Sequence, residues 1–313
     1  MFQLNGKSAV KILLGLVFII SAVLKILEMD HFEIYIYSFR FFSLNFSFLV
    51  ARAAVIAELV LGIGLLANYL HKLMWWGSVA MLAGYSILLM YAIVVGRTDS
   101  CHCFGDFLQL DPKQSLIKNV VLLALFFLIY NMEGWKTSFK WLLLSFSIIV
   151  STIAVFLISP PDNYADYTPE HNLQVEYFNE MLDESPLDQL NLREGKQIIC
   201  FFSTSCDYCQ MAARKLTLMQ QLYGFSPKRI TYAFIGSKGA IKRFFDQSDS
   251  ERYCTLHFSD VAAFLKAVNG NLPVVVLLQD GEVVHEYGFR DMDEEEIKEF
   301  MAPEVVEPVE TPR

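Results

Sequence analysis

The chain has 313 residues, of which 54% are hydrophobic and only 19% charged. Its mean hydropathy is +0.37, more apolar than one soluble core of this length needs, which excludes a disordered or fibrous chain. The charge is uneven: residues 1–160 carry 11 Lys and Arg against 8 Asp and Glu, and residues 161–313 carry 14 against 26, balances of +3 and −12 within a net −9. With no basic stripe in the acidic half and a small excess in the other, nucleic acid is not an expected partner.

Five apolar runs occupy the first half, roughly 9–27, 46–67, 73–95, 116–130 and 141–158. At ~1.5 Å per residue each approaches the ~30 Å hydrocarbon core of a bilayer, the fourth being the shortest. Its Asn119 end, or local thinning of the bilayer, would let it fit. Lys7 and Lys11 precede the first run as they would in a secretory signal, but no small-x-small cleavage site follows, so it reads as an uncleaved span. Lys7, Lys11, Lys72, Lys136 and Lys140 fall on one side, and Arg40, Arg97 and Lys113 on the other, where Lys25, Arg52 and Lys118 dilute the bias. The first side is therefore assigned to the cytoplasm. The loop after the third span and everything after the fifth are two crossings apart and share the extracytoplasmic compartment of a multi-pass bacterial inner-membrane protein.

Lys25, Arg52 and Glu58 lie within or at the edges of spans, where an ionised side chain costs roughly 2.5–3.5 kcal/mol at the helix centre. Glu58 cannot snorkel to the interface as Lys25 can. An interhelical ion pair with Lys25 or Arg52 is the expected role, and a proton relay is the sharper alternative. Phe39, Phe41, Phe42, Phe46 and Phe48 read as interfacial belt and bundle packing in preference to a quinone site.

Six cysteines are too few to staple a small domain and too clustered to be filler. Cys101, His102 and Cys103 lie in the polar loop after the third span. A Cys-x-Cys disulfide closes only a tight ring, whose strain makes it labile and exchange-competent. A protonated His102 would lower the pKa of the attacking sulfur. Capture of Zn or Cu(I) by these three residues competes with that reading, but three adjacent ligands do not converge easily. An inert structural pair is the third possibility.

The first four spans resemble the DoxX-like methylamine-utilisation MauE family. The resemblance rests on Gly15-Leu16-Val17-Phe18 with Ser21 and Lys25, on Glu58-Leu59-Val60-Leu61-Gly62, and on Cys101-His102-Cys103-Phe104-Gly105. It covers about residues 7–132 and implies a four-helix membrane bundle engaged in thiol–disulfide handling during maturation of exported proteins. Nothing in the chain addresses methylamine itself.

Pro160 and Pro161 begin a linker that cannot continue the fifth helix. In the second half, 197–202 reads as a buried strand, 203–205 supplies N-cap chemistry, and Cys206-Asp207-Tyr208-Cys209 opens a helix over 210–222. Unpaired N–H groups at a helix N-terminus favour a thiolate, which makes Cys206 the nucleophile. Cys209, one turn later, is the buried resolving thiol, and Asp207 opposes thiolate formation in part. A second strand is expected at 229–235. The run 271–278, whose strand Pro273 opens, and the run 282–287 flank Asp280-Gly281, the signature of a type I′ hairpin, and a last helix is expected over 293–301.

The stretch 186–301 resembles the thioredoxin-like superfamily, particularly its membrane-tethered extracytoplasmic members, which implies a cis peptide at Pro273 facing the dithiol. It departs from the family pattern at Ser205, where an aromatic is usual, and at Asp207-Tyr208, where Gly-Pro is usual. An insertion is expected near 237–256. Half of a zinc site at Cys206 and Cys209 is disfavoured, since no second ligand pair accompanies it. Cys200 reads as packing, Cys254 lacks a partner at motif spacing, and His257 and His285 have no assigned role.

The expected architecture is thus a multi-pass α-helical bundle followed by an α/β thioredoxin-like domain. Its parts are a four-helix domain at 1–132, a fifth helix within 133–160, a linker at 161–185, the α/β domain at 186–302 and a disordered tail at 303–313. The expected activity is a thiol–disulfide relay between exported client proteins, the Cys206–Cys209 pair and the Cys101–Cys103 pair, with a membrane quinone, by analogy, as the further electron carrier. No metal is assigned. A soft-metal-handling protein with a thiol-reductase module, and a bundle that merely tethers an autonomous domain, are the alternatives.

Overall fold

The computed structural model describes residues 6–97, 110–134, 138–162, 173–183 and 192–302. Two units divide the chain, Met1–Tyr164 and Ala165–Arg313. In the first, α1 (Gly6–Leu27), α3 (Leu44–Ala67), α4 (His71–Val94), α5 (Pro112–Ile129) and α6 (Lys140–Ile158) are each long and apolar enough to cross a bilayer. Their bounds match the expected runs within a few residues except at the fourth. There the helix starts at Pro112, because Asp111 and Gln114 form a reciprocal capping box around its first turn. Asn119 is accordingly a buried interior residue whose amide donates to Ser86 Oγ at 3.3 Å.

Close contact between α1 and α3 depends on glycine. A Cβ on Gly62 would lie 3.0 Å from the carbonyl oxygen of Gly15 and 2.7 Å from Ile19, so the two backbones meet where neither carries a side chain. A nine-residue helix beside α3, α2 (Met29–Tyr37), is not among the expected elements. It supplies Glu33, whose carboxylate holds the Arg52 guanidinium. Arg52 also donates to the carbonyls of Ser159 and Pro160, both at 2.9 Å. A cation at the end of α6 satisfies carbonyls that the helix leaves unpaired and complements its dipole.

The second unit is a mixed five-stranded sheet with helices on both faces. Its strands are β1 (Lys196–Ser203), β2 (Ile230–Ile235), β3 (Cys254–His257), β4 (Val274–Gln279) and β5 (Glu282–Tyr287), in the order β3-β2-β1-β4-β5. β1 runs parallel to β2 and antiparallel to β4. Alternation along β1 sends Ile199 and Phe201 to one face, where Phe201 packs edge-on against Phe178 of α7 (Val175–Asp183) and Phe264 of α10 (Val261–Ala267). Phe202 turns to the other face and meets Tyr232 and Phe244 of α9 (Ile241–Ser248). Each fully buried ring contributes about 1.5–3 kcal/mol.

Asp280 and Gly281 both have positive φ, 54° and 87°, as a type I′ turn requires. Arg229 closes a short 3₁₀ turn, so β2 begins one residue later than expected. The stretch expected to be an insertion, 237–256, contains α9 and most of the edge strand β3. α8 (Asp207–Tyr223) follows β1, and α11 (Glu294–Met301) ends the described chain.

Candidate functional site

The turn between β1 and α8 presents a dithiol. The backbone N–H of Thr204 donates to the Ile235 carbonyl at 3.1 Å, keeping the chain extended one residue beyond β1. A Cβ at Gly236 would lie 2.5 Å from Thr204 Oγ1, and Gly236 has φ +103°, so glycine there permits the close approach. α8 starts at Asp207, three residues ahead of the expected 210. Its N-cap is Cys206 and not one of the serines at 203 and 205, a departure from the expected capping. Cys206 Sγ takes the place of a cap oxygen and accepts the N–H of Cys209 at 3.2 Å.

The two sulfurs differ in burial and in acidity. Cys206 is half-buried, and its pKa is lowered to about 7. The largest cause is a hydrogen bond from the Cys209 thiol, with the N–H groups of Cys209 and Tyr208 adding to it against burial and the Asp207 charge. Cys209 is fully buried, and its pKa is pushed far up by burial first and by the neighbouring Cys206 second. One thiol is therefore ready to attack at neutral pH while the other stays protonated until its neighbour's charge is consumed.

The Leu272–Pro273 peptide is cis, and Pro273 is buried directly before β4. Val274 pairs with Phe201 near the end of β1, so Pro273 lies at the sheet end from which the cysteine turn departs.

Sequence reasoning missed the support around Tyr208. Its exposed ring lies 5.3 Å from that of Phe289. Phe289 is fixed in turn by Lys215, a fully buried lysine of α8 whose Nζ donates to the Phe289 carbonyl at 2.9 Å and sits 3.9 Å from the ring centroid. A signal existed: Lys215 follows Ala212 by three residues on the apolar face of α8, an unusual place for a lysine.

Cys200 is buried in β1, its pKa raised by burial, and Cys254 is exposed on β3. β2 separates these strands. Two spacings of ~4.8 Å exceed the ~7 Å limit for a disulfide, so the geometry keeps the two apart.

In the first unit Lys25 Nζ contacts both oxygens of Glu58, at 2.6 and 2.7 Å, and Ser21 Oγ at 2.9 Å. The expected ion pair therefore forms with Lys25, and Arg52 is held by Glu33. The carboxylates of Asp30, Glu33 and Asp162 converge within 4.8 Å of one another, with the Arg52 guanidinium on Glu33 as a counter-charge. Cys101, His102 and Cys103 lie outside the described residues.

The family model of the methylamine utilisation protein MauE matches residues 6–131, the stretch that holds α1 to α5. A curated relative, protein TlpB of Flavobacterium psychrophilum, is 25% identical over 296 residues, covering 77% of this chain and 80% of its own. Among solved structures, a secreted Mycobacterium tuberculosis disulfide oxidoreductase homologous to E. coli DsbE aligns at 15% identity with a TM-score of 0.28. That alignment covers 36% of this chain and 84% of the other.

Proposed function

We propose that the protein is a membrane-bound thiol–disulfide oxidoreductase. The observation that carries this reading is the capped sulfur: Cys206 Sγ accepts the Cys209 N–H at 3.2 Å, next to a fully buried second thiol. The Cys206 thiolate attacks one sulfur of a client disulfide, forming a mixed disulfide and releasing the client's other sulfur as a thiolate. Cys209 then loses its proton, attacks Cys206 Sγ and releases the client's second thiolate. Two electrons pass to the client, and Cys206–Cys209 becomes the disulfide. Every step is reversible, so the same residues oxidise a client dithiol when the pair starts as the disulfide.

In this reading Pro273, which offers no N–H, leaves the adjacent backbone open to an extended client segment. The Cys101–Cys103 pair exchanges with Cys206–Cys209 at the membrane face, and His102 assists by lowering thiol pKa. Both pairs are assigned to the extracytoplasmic side on the count of spans, and the clients are exported proteins. The internal pairing of Lys25 and Arg52 supports this orientation, since neither cation then counts toward the loop charge.

Replacing Cys209 with Ala tests the reading, because the mixed disulfide on Cys206 then cannot resolve. Non-reducing electrophoresis and mass spectrometry should recover client adducts, together with a Cys206 species linked to Cys101 or Cys103. Trapped clients with no such internal species would remove the relay and leave an autonomous domain on a membrane anchor. Thiol labelling that placed residues 101–103 and the α/β domain on opposite sides of the membrane would do the same.

A further inference from the structure

Two cavities in the membrane bundle share a wall. The larger, about 120 Å³, is lined by Lys25, Phe32, Tyr35, Phe39, Ala54 and Tyr85 among others, and is almost wholly apolar. The smaller, about 20 Å³, is lined by Ser21, Lys25, Glu58, Tyr85, Lys118 and Asn119, together with apolar residues. Lys25 and Tyr85 border both. The Lys25 ammonium lies 5.5 Å from the Phe32 ring centroid and 5.4 Å from that of Tyr85, while it holds Glu58 and Ser21. A ring-sized apolar space therefore ends on Lys25, whose ion-pair partner Glu58 borders a second, polar space behind it that is large enough for one water.

These dimensions select a ligand class. An apolar protein cavity of ~150 Å³ takes up benzene, so about 120 Å³ suits one six-membered ring. Phe41 and Phe42 also line the larger cavity and are exposed on the face of a bundle that reads as lipid-embedded, so entry is from the bilayer. An acyl chain gains nothing from an ion pair, and a phosphate headgroup would have to shed water into an apolar space. A quinone with an isoprenoid tail meets every condition: the tail dissolves in lipid, the ring fits the aromatic walls, and a carbonyl oxygen accepts a hydrogen bond from the ammonium. Exchanging the neutral Ser21 hydroxyl for that carbonyl would leave both bonds to Glu58 in place.

We propose that this cavity binds the ring of a lipoquinone, with Lys25 directed at a quinone carbonyl. The inference rests on the relay proposed above and names its terminal carrier. Oxidation of the Cys101 and Cys103 thiols to a disulfide releases two electrons and two protons, which convert the quinone to the quinol. Arg97 donates to Ser38 Oγ at 2.6 Å and lies 4.6 Å over the ring of Phe39.

The test uses the full-length protein in phospholipid nanodiscs and an azido-benzoquinone with a decyl tail. Illumination should label residues within 29–42 or 85–94, and unlabelled decyl-benzoquinone should compete. Ala54→Phe and, as a second filling variant, Val50→Phe should each lower labelling at least tenfold while insulin reduction by Cys206–Cys209 is unchanged. Labelling elsewhere, labelling that does not compete, or labelling unaffected by either folded variant would overturn the site. Oxidised quinone binds without thiols, so a Cys101→Ser, Cys103→Ser double variant should label like the wild type and lose quinone reduction. Normal labelling with unimpaired reduction in that variant would sink the relay and leave the site standing, whereas absent labelling would sink the site and leave the relay to the trapping experiment.

Discussion

The two units handle costly polar groups in opposite ways. In the bundle, Lys25 and Arg52 each meet a carboxylate inside the fold, and Arg52 also satisfies carbonyls at the end of α6. In the α/β unit, Cys206 is placed where helix N–H groups and a neighbouring thiol stabilise a negative charge, and it stays half-exposed. Lipid allows no solvent to compensate a stray charge, so the bundle neutralises its ions internally. A water-facing helix end can keep an ionisable group poised, and that is what makes it reactive. The comparison separates charge used for assembly from charge used for chemistry.

Substitutions on either side can break that separation. The largest effect is expected from Cys206→Ser, which should lower disulfide exchange in an insulin-reduction assay by about a hundredfold or more while leaving the fold intact, because a serine hydroxyl is not ionised at neutral pH. In the bundle, Glu58→Gln leaves Lys25 charged and buried. It should cost about 3–5 kcal/mol in denaturant unfolding from mixed micelles, and the double variant Lys25→Met, Glu58→Leu should recover most of that. Full stability in the single variant would contradict the pairing.

Titration sharpens the other side. Iodoacetamide reactivity of Cys206 should rise with pH through a midpoint near 7. Cys209→Ala removes the largest stabilising hydrogen bond, so the midpoint should move up toward the ordinary thiol range of about 8.5. The linked effect on folding has a definite sign. The pKa of Cys206 is lower in the folded protein than in the unfolded chain, so its contribution to the stability of the reduced protein is full above about pH 8.5 and is lost as pH falls through about 7. Chemical denaturation of the reduced protein across that window measures it. The smallest effect is expected from Asp207→Asn: removing the charge that opposes the thiolate should lower the midpoint by a few tenths of a unit, and an upward shift would contradict that role.

Much of this organisation was legible in particular residues. Apolar runs of about twenty residues mark spans because length and hydropathy suffice to cross a bilayer. Asp280-Gly281 marked its hairpin because few other residues accept two positive φ angles. The partner of Glu58 was half legible. Lys25 and Arg52 were both open as its partner, and the structure selects Lys25: Arg52 is six residues away on α3, which turns its side chain about 120° from that of Glu58 around the axis. α2 was hidden by its nine residues, and with it Glu33.

The sequence by itself determined which residue types could do chemistry and roughly where each element runs, because these depend on local spacing and on transfer to lipid or a core. Only the tertiary structure decided which sulfur became the helix cap, which carboxylate met which cation, and that six aromatic side chains line one cavity with Lys25. Those outcomes depend on backbone hydrogen bonds such as Thr204 to Ile235 and on helix packing at Gly15 and Gly62, contacts between segments far apart in the chain.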